Sequence, residues 1–112
     1  MGYKIITTEN FERQLNRLSK KYSSIPDDYA SFLEELLANP EMGDKLGGNA
    51  RKLRMAIASK NKGKRGGARV ITCNVVINIE NTKIYLLTIY DKGEQESISS
   101  KDIEILKRQN GV

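Results

Sequence analysis

The sequence contains no histidine, no tryptophan and only one cysteine. Without histidine, no imidazole is present to act as a general acid or base, and the usual nitrogen and sulfur ligands of zinc are lacking. The single cysteine, Cys73, excludes a disulfide bond within the chain and favours a reducing compartment.

Long apolar runs are also absent. None approaches the roughly 20 residues of a membrane-spanning helix, and the first residues lack the apolar core of a secretory signal. We therefore expect a soluble, cytoplasmic protein. With 112 residues, of which 38% are hydrophobic and 29% charged, the chain has the size and composition of one globular domain over residues 1–112.

Acidic residues are missing from one long segment, residues 45–79, and basic residues are concentrated there. This segment holds nine of the nineteen lysines and arginines: Lys45, Arg51, Lys52, Arg54, Lys60, Lys62, Lys64, Arg65 and Arg69. The net charge of the whole chain is only +5, so the remainder of the chain is mildly acidic. Concentrated positive charge is the electrostatic signature of phosphate binding, whereas charge that serves solubility is normally mixed in sign.

Two segments near the N-terminus have apolar residues at helical spacing and predict an antiparallel helix hairpin. Thr8 or Asn10 is placed to cap the first helix, and Pro26 suits the first turn of the second, which ends at Asn39-Pro40. A β-branched segment, KIIT at 4–7, precedes the hairpin and predicts a strand.

Three further strands are predicted after the hairpin, at 51–57, 69–79 and 83–90. Residues 41–49 contain three glycines and predict a loop, and residues 80–82 predict a tight turn.

A last helix is predicted after Ser99, with Asp102 as its capping-box partner. The order is therefore β-α-α-β-β-β-α. This order predicts an α+β fold with an N-terminal strand, a helix hairpin, a three-stranded antiparallel sheet and a C-terminal helix.

The stretch KGKRGGARVI, residues 62–71, joins two of these strands. It carries four cations and three glycines, and glycines allow the backbone to approach an anionic ligand closely. If the sheet order follows the chain, one sheet face collects the side chains of Lys52, Arg54, Arg69, Thr88, Tyr90 and Lys92. We then expect the helices to cover the other face, so that the cationic face stays open beside a basic turn.

Three motifs in order resemble the RelE/ParE superfamily of type II toxins, in particular its RelE/HigB-type branch: KLR at 52–54, KGKRGGARVI at 62–71 and IYLLTIYDK at 84–92. The resemblance covers essentially the whole chain. It implies a RelE-like fold and a toxin that enters the ribosomal A site and cleaves mRNA, with no metal or other cofactor. It also implies a cognate antitoxin partner with a helix-turn-helix DNA-binding part.

In the reaction that this resemblance implies, the ribose 2′-OH attacks the adjacent phosphate and leaves a 2′,3′-cyclic phosphate and a 5′-OH. Because the chain has no histidine, these roles fall to Lys, Arg, Tyr or carboxylate side chains. Clustered cations suit the task. A lysine amine among like charges loses its proton more readily, and an arginine holds two phosphate oxygens at once.

Site roles are assigned as a hypothesis on the same resemblance. Arg54 and Arg69 clamp the scissile phosphate, Lys52 or Lys64 is the base, and Lys92 is the acid or a second phosphate contact. The residues expected to contact neighbouring RNA or the ribosome are Arg51, Lys60, Lys62, Arg65 and Tyr90.

The sequence departs from the RelE pattern in two places. These toxins often have a tyrosine near the start of the last helix, where this chain has Ser97-Ile98-Ser99-Ser100, and Gly93 stands where a basic residue is common. Three other functions remain open: a ParE-type inhibitor of DNA gyrase, a non-catalytic nucleic-acid-binding domain, and a degenerate toxin that binds its antitoxin. The uninterrupted positive charge of residues 45–79 favours RNA over gyrase.

Overall fold

A five-stranded sheet with helices on both faces forms the fold of the computed structural model, which describes residues 2–112. The strands are β1 (Gly2–Thr7), β2 (Asp44–Lys45), β3 (Ala50–Met55), β4 (Ala68–Asn78) and β5 (Asn81–Asp91). The helices are α1 (Glu9–Lys21), α2 (Ile25–Ala38) and α3 (Ser100–Gln109), and a short 3-10 helix covers Ala58–Lys60. The predicted α+β class is confirmed. Among residues 2–112, no helix is long and apolar enough to cross a membrane.

The sheet order is β1-β5-β4-β3-β2, with β1 parallel to β5 and every other pair antiparallel. The predicted three-stranded antiparallel sheet therefore forms the centre and gains a strand at each edge. Residues 41–49, predicted as a loop, contain the short strand β2. β1 and β2 lie at opposite edges of the sheet because the helix hairpin between them carries the chain from one edge to the other.

Local signals fix the ends of several elements. Thr8, not Asn10, caps α1: its Oγ1 accepts a hydrogen bond from the backbone N of Phe11 at 3.2 Å. Ser99 caps α3 in the same way, through the backbone N of Asp102 at 3.1 Å. The β4–β5 turn was predicted at residues 80–82 and lies one residue earlier, because Asn78 already pairs with Asn81.

Two apolar clusters hold the sheet between its helices. On one face, α1 and α2 pack against the inward residues of the central strands, with Phe11, Phe32 and Leu86 fully or almost fully buried. On the opposite face, Ile103 of α3 packs in a second cluster that contains Tyr90. The expectation that helices cover only one face is therefore wrong, since α3 covers part of the face that carries the predicted cations.

Candidate nucleic-acid interface

A cross-strand row joins Arg54, Arg69 and Tyr90 on the three central strands. The register pairs Arg54 of β3 with Arg69 of β4, and Arg69 with Tyr90 of β5. The next row pairs Lys52 with Ile71 and Ile71 with Thr88. Because alternate residues of a strand share a face, these side chains emerge on the same side of the sheet, where the sequence placed them.

Three of the predicted catalytic cations meet at the outer edge of β3. Lys52, Arg54 and Lys64 line a cavity of about 320 Å³ there. Arg54 and Lys64 are exposed and Lys52 is half-buried, so this group is open to a ligand from solvent. A cavity of this size with three cations on its wall fits a phosphate group and part of its nucleotide.

Two carboxylates, on Glu35 of α2 and Asp44 of β2, line the same cavity, and no local sequence pattern predicts them there. The Nζ of Lys64 lies 2.7 Å from Oε2 of Glu35, and both side chains are about half exposed. An exposed ion pair of this kind contributes little to stability. A phosphate can therefore displace the Glu35 carboxylate from Lys64 at small cost.

Arg69 is almost fully buried and binds backbone rather than solvent. Its Nη1 donates to the carbonyl oxygens of Lys64 at 3.1 Å and Ala68 at 3.2 Å, and its Nη2 donates to that of Arg65 at 2.9 Å. The guanidinium thus holds the basic loop, residues 61–67, against the start of β4. For Arg69 to clamp a phosphate, those carbonyls would have to be released.

Tyr90 ends the row as a buried phenol with an unused hydroxyl. The residue is 5% exposed, and within residues 2–112 its hydroxyl has no hydrogen-bond partner. Burial raises the pKa of Tyr90, and the positive charge of Arg69 opposes that rise. The phenol therefore keeps its proton at neutral pH and remains able to donate a hydrogen bond.

Lys60, predicted to contact RNA or the ribosome, is engaged elsewhere. Its Nζ lies 2.6 Å from Oδ1 of Asp91, a carboxylate that is 1% exposed. The Tyr22 hydroxyl donates to Oδ2 of Asp91 at 2.6 Å, and the backbone N of Gly93 donates to Oδ1 at 2.9 Å. Burial alone would raise the pKa of Asp91, but the bonds from Lys60, Tyr22 and Gly93 outweigh burial and hold it below its usual value. Lys60 is thus part of a buried ion pair.

The end of β5 is also tied to the base of the basic loop. The backbone N of Lys92 donates to the carbonyl of Gly67 at 3.1 Å. A Cβ on Gly67 would overlap the carbonyl oxygen of Met55, so only glycine fits where the loop passes the end of β3. The hydrogen bond to Gly67 places Lys92, which is half-buried, beside the point where the basic loop ends and β4 begins.

The other residues predicted to contact RNA or the ribosome lie in two places, on the basic loop and on β3. Lys62 and Arg65 are exposed on the basic loop. Arg51 lies on the opposite face from Lys52, because the two are neighbours in β3, and its Nη1 donates to the carbonyl of Glu41 at 2.7 Å. The structure therefore brings Lys52, Arg54 and Lys64 together at one cavity, with Lys62 and Arg65 on the loop that carries Lys64, and it does not bring Arg51 or Lys60 to that cavity.

Sequence reasoning missed Asp91 and Tyr22, whose roles depend on distant contacts. Tyr22 follows the end of α1, and Asp91 is the last residue of β5. One signal was available: Asp91 directly follows an apolar strand, where a carboxylate needs a cationic or hydrogen-bonding partner once it is buried.

Comparison with known proteins bears on the fold of this chain. No family model matches the sequence. The fold is similar to that of the E. coli toxin RelE, solved as a double arginine-to-alanine mutant in the free state. The TM-score is 0.53 and the sequence identity 16%, over 86% of this chain and 90% of that one. The similarity confirms the RelE-like fold that the motifs implied.

Proposed function

We propose that this protein is the toxin of a type II toxin–antitoxin system, a ribosome-dependent endonuclease that cleaves mRNA in the A site and so inhibits translation. The observation that carries the proposal is the cavity at the edge of β3, where Lys52, Arg54 and Lys64 meet on a RelE-like fold. Two exposed cations and one half-buried cation around a cavity that fits a phosphate group and part of its nucleotide suit a phosphodiester substrate.

The proposed reaction is an internal transfer at one phosphate. Lys52 or Lys64 accepts the proton of the ribose 2′-OH, and the oxygen attacks the adjacent phosphorus. Arg54 stabilises the negative charge of the pentacoordinate intermediate. Lys92 donates a proton to the departing 5′-oxygen, which leaves a 2′,3′-cyclic phosphate and a 5′-OH. Because the nucleophile belongs to the RNA, no water molecule has to be activated.

Two further residues, Arg69 and Tyr90, are proposed to take part in binding the RNA. In the free chain Arg69 supports the basic loop through three carbonyls, so its role as a second phosphate clamp requires the loop to move when RNA binds. The hydroxyl of Tyr90, which has no hydrogen-bond partner within residues 2–112, lies in the same row. Because it is buried, it can donate to a phosphate oxygen or a base only if the residues that cover it move when RNA binds. This donor is the nearest substitute for the aromatic residue missing near Ile98.

The proposed partners are the ribosome with its mRNA and a cognate antitoxin that carries a helix-turn-helix DNA-binding part. An antitoxin segment with acidic and apolar residues would match the exposed cations of the basic loop and block the cavity. This proposal places the protein in the cytoplasm, with its substrate.

A second candidate is a non-catalytic domain that binds nucleic acid or only its antitoxin. The buried guanidinium of Arg69 favours it, because one of the two proposed phosphate clamps is already satisfied by backbone carbonyls. Such a domain would bind RNA with a strong dependence on salt and would not cleave it.

The test is induction of the wild-type chain and of Arg54→Ala in a bacterial host, with growth and mRNA 5′ ends followed together. The proposal predicts that wild type arrests growth with new 5′ ends inside translated codons and that Arg54→Ala does neither. Growth arrest with intact mRNA and altered DNA supercoiling would instead indicate a gyrase inhibitor. Normal growth with soluble wild-type protein would favour the non-catalytic domain.

A further inference from the structure

The short edge strand β2 places a carboxylate beside the cavity cations. Asp44 of β2 is paired with Lys52 of β3 in the antiparallel register. Directly opposed residues emerge on the same face with Cβ atoms about 5 Å apart, and the diagonal neighbour, here Arg54, lies about 7 Å away. All three residues line the cavity at the edge of β3. The Asp44 carboxylate is therefore within one side-chain length of Lys52 and close to Arg54.

The backbone before Asp44 has little freedom to move. Gly43 has a φ of +101°, in the left-handed region that favours glycine. A Cβ on Gly43 would overlap the carbonyl oxygen of Lys52 and the side chain of Leu53. The chain therefore packs directly against β3 at this point, and the packing keeps Asp44 in register with Lys52.

The carboxylate of Asp44 is exposed and free. Among residues 2–112, no hydrogen bond or ion pair engages its side chain. Glu35, the other carboxylate on the cavity wall, is bonded to Lys64. Asp44 is thus the cavity carboxylate that can accept a proton without first releasing a cation.

The proposed cleavage needs a group that accepts the proton of the ribose 2′-OH. A lysine side chain, with an ordinary pKa of about 10.4, is protonated at neutral pH and must lose that proton before it accepts another. A neighbouring carboxylate opposes this loss, because an opposite charge favours the charged form of the amine. An aspartate is already deprotonated at neutral pH, and aspartates serve as general bases in other enzymes.

We propose that Asp44 is the general base of the cleavage reaction and that Lys52 stays charged and binds a phosphate oxygen. This inference rests on the proposed function and replaces the lysine in one step of it. Asp44 and Arg54 line one cavity, so a base and a phosphate clamp are available to the same nucleotide. The 2′-OH and its phosphate belong to one nucleotide, which requires that proximity.

The step balances without a metal or a water molecule. The 2′-OH proton passes to the Asp44 carboxylate, and the electron pair of the O–H bond forms the bond from the 2′-oxygen to phosphorus. The bond from phosphorus to the 5′-oxygen breaks, and that oxygen takes its electron pair and a proton from Lys92. Solvent then removes the proton from Asp44 and returns one to Lys92.

A base and a mere ion-pair partner predict opposite effects when the charge of Asp44 is removed. The cavity binds phosphate, so the loss of a negative charge from its wall favours binding. If Asp44 only neutralised Lys52, Asp44→Asn would bind RNA at least as tightly as wild type and would cleave it at least as fast. If Asp44 is the base, cleavage falls while binding does not.

The experiment measures the two quantities separately, on ribosomes stalled with a defined codon in the A site. The chain is added in excess and a single turnover is followed by primer extension. Binding is measured by co-sedimentation with ribosomes whose A-site codon carries 2′-O-methyl groups and cannot be cleaved. Asp44→Asn is expected to cleave about a hundredfold more slowly than wild type and to bind at least as tightly.

Two further variants serve as controls, and circular dichroism confirms that all variants fold. Glu41→Gln removes the same charge from an exposed residue that is not part of the cavity wall, and should match wild type in both measurements. Glu35→Gln frees Lys64 and should cleave no more slowly than wild type.

Three results would overturn the inference while leaving the proposed function in place. These are cleavage by Asp44→Asn at the wild-type rate, a loss of binding that accounts for its slower cleavage, or slow cleavage by Glu35→Gln instead. Folded wild type that leaves the mRNA intact would overturn the proposed function itself, and this inference with it.

Discussion

The ammonium of Lys60 lies 2.6 Å from the carboxylate of Asp91, and this buried ion pair joins the residue before the basic loop to the end of β5. The other end of the loop is held by Arg69, through the carbonyls of Lys64 and Arg65. The exposed cations of the loop are thus carried on a segment anchored at both ends. An ordered segment loses less entropy when it binds an anion, so the anchors support binding by the exposed loop cations. Only the proposed second clamp by Arg69 requires the anchor at that end to be released.

Removal of the charge on Asp91 should destabilise the fold strongly. Asp91→Asn leaves the Lys60 ammonium with little solvent and no counterion, which we expect to lower the free energy of unfolding by about 3 kcal/mol. Urea denaturation measures this loss. The control is Glu94→Gln, an exposed member of the same network through Arg17 and Lys21, which should cost less than about 1 kcal/mol. Equal losses for the two variants would contradict a special role for the buried pair.

The contribution of Asp91 should depend on pH in a defined direction. Its pKa is lowered in the folded state, so its stabilising effect is complete above the ordinary value of 3.8 and is lost as pH falls through the lower folded value. The difference in unfolding free energy between wild type and Asp91→Asn should be constant from about pH 7 to about pH 5 and should vanish in stronger acid. Urea unfolding at a series of pH values checks this, and a difference that persists in strong acid would contradict it.

Arg69 should control the local stability of the basic loop. Arg69→Lys can reach only one carbonyl where the guanidinium reaches three, so the loop should open more often. Trypsin should then cleave after Lys62, Lys64 or Arg65 several-fold faster than in wild type, with cleavage in α1 unchanged.

The matched control for Arg69→Lys is the exposed Arg54, as Arg54→Lys, which should leave loop cleavage at the wild-type rate. Faster cleavage in α1 as well as in the loop would show that the effect is global unfolding. Loop cleavage at the wild-type rate would show that Arg69 does not hold the loop.

The central sheet was predictable from local patterns. Alternation of apolar and basic residues indicates which side chains share a face, and the two-residue turn between β4 and β5 makes these two strands antiparallel. Arg54, Arg69 and Tyr90 therefore fall in one row, as expected. The parallel pairing of β1 with β5 was not predictable, because Gly2 and its partner Asn81 are 79 residues apart and a pairing over such a distance leaves no trace in local sequence.

The roles of individual cations were harder to predict, because a cation binds whatever acceptor the fold brings to it. Lys60 meets Asp91, which is 31 residues away in sequence, and Arg69 meets carbonyls whose direction depends on the loop conformation. Charge density predicted a cationic region, and the cavity at the edge of β3 lies within that region. Only the three-dimensional contacts separate Lys52, Arg54 and Lys64 at the cavity from Lys60 in the buried pair.

The proposed cleavage of ribosome-bound mRNA by the cavity cations can be measured in reconstituted translation. Ribosomes are stalled with a defined codon in the A site, the chain is added, and primer extension locates any cut. We predict a cut within that codon, none in the same mRNA without ribosomes, and a rate roughly a hundredfold lower for Arg54→Ala. Lys101→Ala, an exposed cation on α3, should match wild type. Uncut mRNA with folded wild type, or equal cleavage by Arg54→Ala, would contradict the account.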